Sequence, residues 1–258
     1  MDGDGIARDG LKRGDVVVVT GGGGGFGRAF CRRFARAGAK VAVWDFDAKA
    51  GEETVREIGA ENGEACFIKA DLARMDEIDA AVAQTLDVCG VPYCIINNAS
   101  IYPRASVTDM TPQAWERTFK VNITAPFLIV RAFGPKMIAR KRGVVINIAS
   151  GRALEGAMNG ANYACTKAAL LSLTKTLALE WAQHNIRVNA IIPGVSMTAQ
   201  PLENTTPEEL IARGKTIPLG RIGYPEDMAG LAAFLASADA AYMTGQGVAM
   251  NGGRVLIP

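Results

Sequence analysis

Val16-Val17-Val18-Val19-Thr20-Gly21-Gly22-Gly23-Gly24-Gly25-Phe26-Gly27 is the stretch on which the fold turns. Four consecutive β-branched residues with no polar alternation describe a parallel strand covered on both faces. The residues that follow, Arg28 to Gly38, place Phe30, Cys31, Phe34 and Ala37 at helical spacing and end on a glycine suited to a stop. A strand, a glycine turn and a helix in that order gather backbone N–H groups and the positive end of a helix dipole at one point, which suits a pyrophosphate. Five adjacent glycines leave two registers open. Gly22, Gly24 and Gly27 satisfy G-x-G-x-x-G, while Thr20, Gly21, Gly25 and Gly27 satisfy T-G-x-x-x-G-x-G.

Moving outward, a second strand from Lys40 to Trp44 runs into Asp45, an acidic residue about 20 positions beyond the glycines, where a ribose 2′-hydroxyl would be bound. That carboxylate repels a 2′-phosphate, and neither Gly24 nor Phe46 offers the cation such a phosphate needs, so the pattern favours NAD over NADP. Asp47 caps a helix that begins near Ala48. A third strand, Ala65 to Ala70, ends at Asp71-Leu72, whose carboxylate suits the adenine amino group, and a helix of about Ala73 to Val88 follows. The fourth strand, Tyr93 to Ile96, ends in Asn97-Asn98-Ala99-Ser100. Alternating strands and helices at this spacing predict an α/β fold, a doubly wound parallel sheet with its ligand at the strands' C-terminal ends.

Composition narrows the class. The chain has 258 residues, 49% of them hydrophobic, and 28 Lys and Arg against 26 Asp and Glu, a net charge of +2. That balance gives no reason to expect nucleic acid or an anionic membrane as partner, and a small molecule is the default. Five cysteines without C-x-x-C and a single histidine, His184, argue against a metal site and read as reduced core thiols of a cytoplasmic protein. No apolar run approaches a membrane span, and Met1 to Gly14 lacks the apolar segment of a signal peptide.

The second half carries the chemistry. Thr111 to Arg142 reads as one long helix or two, bent or interrupted at Pro126 and Pro135, with Asn122 inside it. Lys136, Arg140, Lys141 and Arg142 read as a solvated helix end. A fifth strand, Gly143 to Ala149, ends at Ser150. The helix Ala161 to Gln183 then carries Tyr163 and Lys167 four residues apart, on one face. A cation beside a phenol lowers its pKa from ~10, and such a tyrosine can exchange a proton with an alcohol or carbonyl. Ser150 and Tyr163 are placed to converge on one oxygen. A sixth strand, Ile186 to Ile192, breaks at Pro193-Gly194. The segment Met197 to Lys215 has few apolar anchors and reads as a substrate loop around 194–217. A helix, Pro225 to Ser237, and a strand, Gly247 to Met250, close the chain. His184 reads as a surface residue.

Together these residues resemble the short-chain dehydrogenase/reductase family in its single-domain form. The resemblance runs from Val16 to Gly253 and rests on Thr20-Gly21-x-x-x-Gly25-Phe26-Gly27, Asp71, Asn97-Asn98-Ala99, Asn122, Ser150, Tyr163-x-x-x-Lys167, Pro193-Gly194 with Thr198, and Asn251-Gly252-Gly253. It selects the register Gly21, Gly25 and Gly27. It implies one Rossmann-like domain, a mostly seven-stranded parallel sheet with helices on both faces. It also implies that Ser150 polarises the substrate oxygen, Tyr163 transfers the proton, Lys167 lowers the Tyr163 pKa and binds the nicotinamide ribose, and Asn122 fixes a water. The cofactor site so implied takes in Gly21, Gly25, Phe26 and Gly27, then Asp45 and Phe46, then Asp71 and Leu72. Asn98, Ala99, Ser100, Tyr163 and Lys167 follow, with Pro193, Gly194, Val195 and Thr198. Ser100 departs from the glycine often found there and would narrow the nicotinamide end of the pocket.

The implied reaction is NAD-dependent interconversion of a secondary alcohol and a ketone. The expected pocket is lined by Ser100 to Arg104, Gly151 to Asn159 and 194–215. Arg152 and Glu155, facing inward, would suit a polyol, sugar or hydroxy acid. NADPH-dependent reduction of a 3-oxoacyl thioester is the enzymatic alternative, and a catalytically silent dinucleotide sensor the non-enzymatic one. The resemblance further implies a homo-oligomer, tetramer or dimer, and Val255-Leu256-Ile257-Pro258 is an apolar tail compatible with burial there.

Overall fold

The computed structural model describes residues 10–198 and 205–256. Residues 1–9, Ile257 and Pro258 of the apolar tail, and part of the expected substrate loop lie outside the described residues. Among those described, seven strands form one parallel sheet: β1 (Val16–Thr20), β2 (Lys40–Asp45), β3 (Glu64–Lys69), β4 (Pro92–Asn97), β5 (Gly143–Ile148), β6 (Ile186–Pro193) and β7 (Gly247–Met250), in spatial order β3-β2-β1-β4-β5-β6-β7. All six pairings are parallel. The order reverses between β1 and β4, the crevice where a doubly wound sheet binds its ligand.

Alternation along β1 explains the two-sided burial. Val17 and Val19 face α1 (Gly25–Arg36), α2 (Ala48–Ala60) and α9 (Pro225–Ala236), meeting Phe30, Phe34, Ile58 and Leu235. Val18 faces the other layer, α3 (Met75–Val88), α5 (Ala125–Arg140) and α7 (Ala161–Trp181), meeting Ile78, Phe133 and Trp181. Register aligns Thr20 with Trp44 and Asn97 with Asn147, so the strand ends share one edge.

Several boundaries differ from the sequence reading. The helix after β3 starts at Met75 rather than Ala73, because Asp71 accepts the Ala73 N–H at 2.9 Å in a turn of its own. The stretch 111–142 is α4 (Pro112–Phe119), a π-helical turn (Lys120–Thr124) and α5. The break falls just before Pro126, which has no N–H to close onto the Asn122 carbonyl in a helix that runs on from the π turn, while Pro135 is carried inside α5 without interrupting it. The polar 197–215 region contains an eight-residue helix, α8 (Pro207–Gly214), started by a Thr206/Glu209 capping box and anchored by buried Leu210 against Ile217 and Ile222. Arg142 is not a solvated helix end. It forks onto Asp15 at 2.8 and 2.7 Å and covers the Tyr93 ring at 4.1 Å. Core burial holds for Cys31 and Cys94, while Cys66 and Cys89 are half-buried and Cys165 is exposed.

A buried polar chain ties the sheet to α7: Asn97 Nδ2 donates to Asn147 Oδ1 at 2.8 Å, and Asn147 Nδ2 to Thr174 Oγ1 at 2.8 Å. Removing the middle member strands two buried partners. Asn147→Ala is expected to lower unfolding free energy by about 1–3 kcal/mol in a urea titration.

Candidate active site

The glycine run shows why its register matters. Gly21 and Gly25 take positive φ (64° and 51°), while a Cβ on Gly27 would collide with the Gly21 carbonyl oxygen. The N-terminus of α1 begins at Gly25 with neither a capping side chain nor an acidic residue in its first turn, leaving main-chain donors for an anion. The loop is clamped by Asn98, whose Nδ2 donates to Thr20 O at 2.9 Å and Gly21 O at 3.2 Å, and by Thr20 Oγ1, which accepts the Asn98 and Ala99 N–H groups at 3.0 and 3.1 Å. Thr198 lies over Gly25, 3.6 Å from where a Cβ there would be.

Asp45 ends β2 against this loop: Oδ2 accepts the Gly23 N–H at 2.8 Å and Oδ1 the Asp47 N–H at 3.0 Å, with lone pairs left for a hydroxyl. The cation nearest the loop in the sequence, Arg28, is held on Gly23 O and paired with Glu53 at 3.0 Å and Glu57 at 2.8 Å. Phe46 is 72% exposed beside Asp45. Leu72 is buried in the core, so only its main chain can meet a ligand, and Asp71 lines a separate shallow depression with Gln113 and Lys120.

At the ends of β4 and β5 a cavity of about 230 Å³ is lined by Phe26, Asn98, Ser100, Ser150, Tyr163 and Lys167 on its floor and by Pro193, Gly194, Val195 and Thr198 on one side. Tyr163 and Lys167 therefore do face the point to which Ser150 projects. Lys167 is only 2% exposed, and Nζ donates to Ile148 O at 2.7 Å. Burial pulls its pKa down from 10.5 to about 7. The Tyr163 phenol moves the opposite way to the sequence expectation, up to about 12, driven first by burial, with a hydrogen bond from Ser150 and the charge of Arg152 opposing and Tyr102 adding. Lys167 does not draw it down because burial disfavours the ammonium itself, whose Nζ stands 5.5 Å from the ring centroid.

Asn122 is buried, 1% exposed. Its side chain is fully engaged, accepting the Ile101 N–H at 2.9 Å and donating to Ile101 O at 3.0 Å and Thr166 Oγ1 at 3.1 Å. Pro126 has no N–H to offer the Asn122 carbonyl, so the ordinary helical bond to that main-chain oxygen cannot form.

Arg152 and Glu155, on the short helix α6 (Arg152–Glu155), both line the cavity and pair with each other at 3.7 Å. Of the expected lining, Gly156 to Asn159 does not reach it. Tyr102 does, stacked on Tyr163 with centroids 4.2 Å apart. Sequence reasoning missed Arg254 and Val255, which return from beyond β7; the Asn251-Gly252-Gly253 turn preceding them was the available signal.

A family model described as enoyl-(acyl carrier protein) reductase matches residues 22–254. The chain belongs to the short-chain dehydrogenase/reductase family. Among relatives, it is 38% identical over 253 residues to 3beta-hydroxysteroid dehydrogenase 1 of Eggerthella lenta, covering 97% of both chains. A structure described as an NAD(P)-dependent gluconate 5-dehydrogenase of Beutenbergia cavernae, with bound NADP at low occupancy, is 37% identical with a TM-score of 0.88 over 93% of this chain and 96% of the other. A 3-oxoacyl-[acyl-carrier protein] reductase of Brucella melitensis with bound NAD is 31% identical with a TM-score of 0.87 over 95% and 92%. Each of those two solved structures holds a nicotinamide dinucleotide. The residues fit it: Ser100 Oγ is buried without a partner in the cleft, Lys167 keeps two N–H donors, and α1 presents its uncapped end.

The depressed Lys167 pKa has a consequence for folding. Between about 7 and 10.5 the unfolded chain holds a proton that the folded chain lacks, so stability rises with pH through that window. Lys167→Met removes this contribution, and the difference in unfolding free energy between variant and parent changes with pH across the window. A pH-independent difference would show that Lys167 is not the titrating group.

Proposed function

We propose that this chain is an NAD-dependent dehydrogenase interconverting a polar secondary alcohol and its ketone, with Tyr163 as general acid/base. The observation that carries the reading is the meeting of Ser150, Tyr163 and Lys167 on the floor of one cavity beside an uncapped, glycine-opened helix. Ser150 Oγ donates to the substrate oxygen and holds it at the phenol. Tyr163 Oη takes the alcohol's proton on oxidation and returns it on reduction. Lys167 holds the nicotinamide ribose, Asp45 the adenosine ribose, and the main chain of Gly21 to Gly27 the pyrophosphate. When bound, the cofactor supplies the hydride chemistry. Tyr102, packed flat on Tyr163, excludes water from one face of the phenol.

NAD is preferred on this reading because Asp45 stands where a 2′-phosphate would go and the nearby Arg28 is neutralised by two carboxylates. The likeness to the family also supports a homo-oligomer in the cytoplasm. Phe127 on α5 and the 84%-exposed Leu179 on α7 offer apolar surface for it, and no described helix is long and apolar enough to cross a membrane.

Absorbance at the reduced-nicotinamide band, with NAD and NADP in parallel against polyols, sugars and hydroxy acids, tests the assignment. Turnover with NAD is expected to fall by about 10²–10⁴ in Tyr163→Phe, and retention of activity in that variant would sink the role given to the phenol. Asp45→Ala should raise the NADP-to-NAD ratio of kcat/KM, whereas a parent enzyme that already prefers NADP would favour carbonyl reduction instead. Because the base in oxidation is the phenolate of a group held above 10, alcohol oxidation should accelerate with rising pH and ketone reduction slow.

A further inference from the structure

The rim of the cavity is strongly cationic although the chain is nearly balanced. Arg104, Arg152, Arg213 and Arg254 line it, and Glu155 is the one carboxylate among the described lining residues. These arginines are incompletely used. Arg152 reaches Glu155 only at 3.7 Å. Arg213 has a single long contact with Thr205 Oγ1 at 3.5 Å, and Arg104 rests over the Tyr102 ring at 4.9 Å. Arg254 has no ion pair among the described residues.

Their placement points at the substrate rather than at the cofactor phosphates, which the α1 N-terminus is built to receive. Arg152 follows β5, and its main-chain N–H donates to Ser150 Oγ at 3.2 Å. Arg254 belongs to a tail folded back on the same loop: Asn251 Nδ2 donates to Val255 O at 2.8 Å, Asn251 Oδ1 accepts the Gly253 N–H at 3.0 Å, and Val255 lies 3.9 Å from where a Cβ on Gly151 would be. Two arginines from distant parts of the sequence thus line the cavity that holds the reacting phenol. A guanidinium fork matches a carboxylate with two parallel hydrogen bonds, a geometry that a neutral hydroxyl cannot reproduce.

We infer that the substrate carries a carboxylate, held by Arg254 together with Arg152, so that the alcohol oxidised is a hydroxy acid rather than a neutral polyol. This rests on the dehydrogenase reading above and narrows its substrate class. The rim is half-exposed, so the attraction is weakened by salt, and it acts on KM more than on kcat.

The test compares an aldonate with the alditol of equal carbon number, as kcat/KM with NAD, in the parent and in Arg254→Gln, Arg254→Lys and Arg152→Gln. The aldonate should be preferred at least tenfold. Either glutamine variant should cut that preference about ten- to hundredfold, chiefly through KM, with Arg254→Lys retaining part of it and added sodium chloride eroding it in the parent. Preference for the alditol, or a ratio that neither glutamine variant moves, would overturn the inference while leaving the dehydrogenase reading intact. Thermal denaturation with the same two compounds separates the remaining case. If nothing turns over, stabilisation by the aldonate that is lost in Arg254→Gln sustains the carboxylate site and overturns the reaction. No stabilisation in either protein overturns both.

Discussion

Lys167 Nζ lies 2.7 Å from the main-chain oxygen of Ile148 and is almost wholly withdrawn from water. An ammonium so placed demands good hydrogen bonding around it, and the chain meets that demand by fixing α7 against the ends of β4 and β5. Asn162, Thr166 and Thr174 repeat at four and eight residues along one face of α7. They bond respectively to Thr118 and Pro103 O, to Asn122, and to Asn147. The helix is therefore polar inward over much of its length, and it exposes Leu179 outward. Toward its C-terminal end the inner face turns apolar, with Leu177, Ala178 and Trp181 buried against the sheet.

The same burial sets the electrostatics of the floor. Tyr163 and Lys167 are each pushed toward the neutral form, the phenol upward and the ammonium downward. A neighbouring cation is not enough to lower a phenol pKa when the site that holds the pair excludes water from both. Ser150 and Arg152 act on the phenol more directly than Lys167 does, which transfers part of the tuning to the segment immediately after β5.

The first half of the fold was legible because its signals are local. A β-branched run, a glycine turn and an apolar helix face each occupy a few consecutive residues, and β7 was placed to the residue. The interruption near Asn122 is only half legible: Pro126 marks its place, but the side-chain bonds between Asn122 and Ile101 and Thr166 that accompany the π turn join residues distant in sequence. The helix α8 was hidden by polar composition even though its capping box was present in Thr206 and Glu209. Arg142 looked solvated because nothing local announces Asp15, 127 positions away. The direction of the Tyr163 pKa depended on depth of burial, which spacing alone does not encode.

Floor and rim of the cavity differ in how they are built, and this bears on how selectivity can vary. The floor is locked by buried side-chain hydrogen bonds that also hold the sheet to α7, so a change there costs stability as well as chemistry. The rim arginines come from α6, α8, the segment after β4 and the tail after β7; Arg104, Arg213 and Arg254 are exposed and Arg152 is half-buried. Substituting them disturbs few buried contacts. The tail is supported by the Asn251 side chain, which holds both Gly253 N–H and Val255 O, and α8 by its capping box and buried Leu210. A fold arranged in this way can exchange the charge that greets a substrate at Arg104, Arg213 and Arg254, which share almost no buried interactions with the floor, whereas Arg152 also acts on the Tyr163 phenol and bonds Ser150.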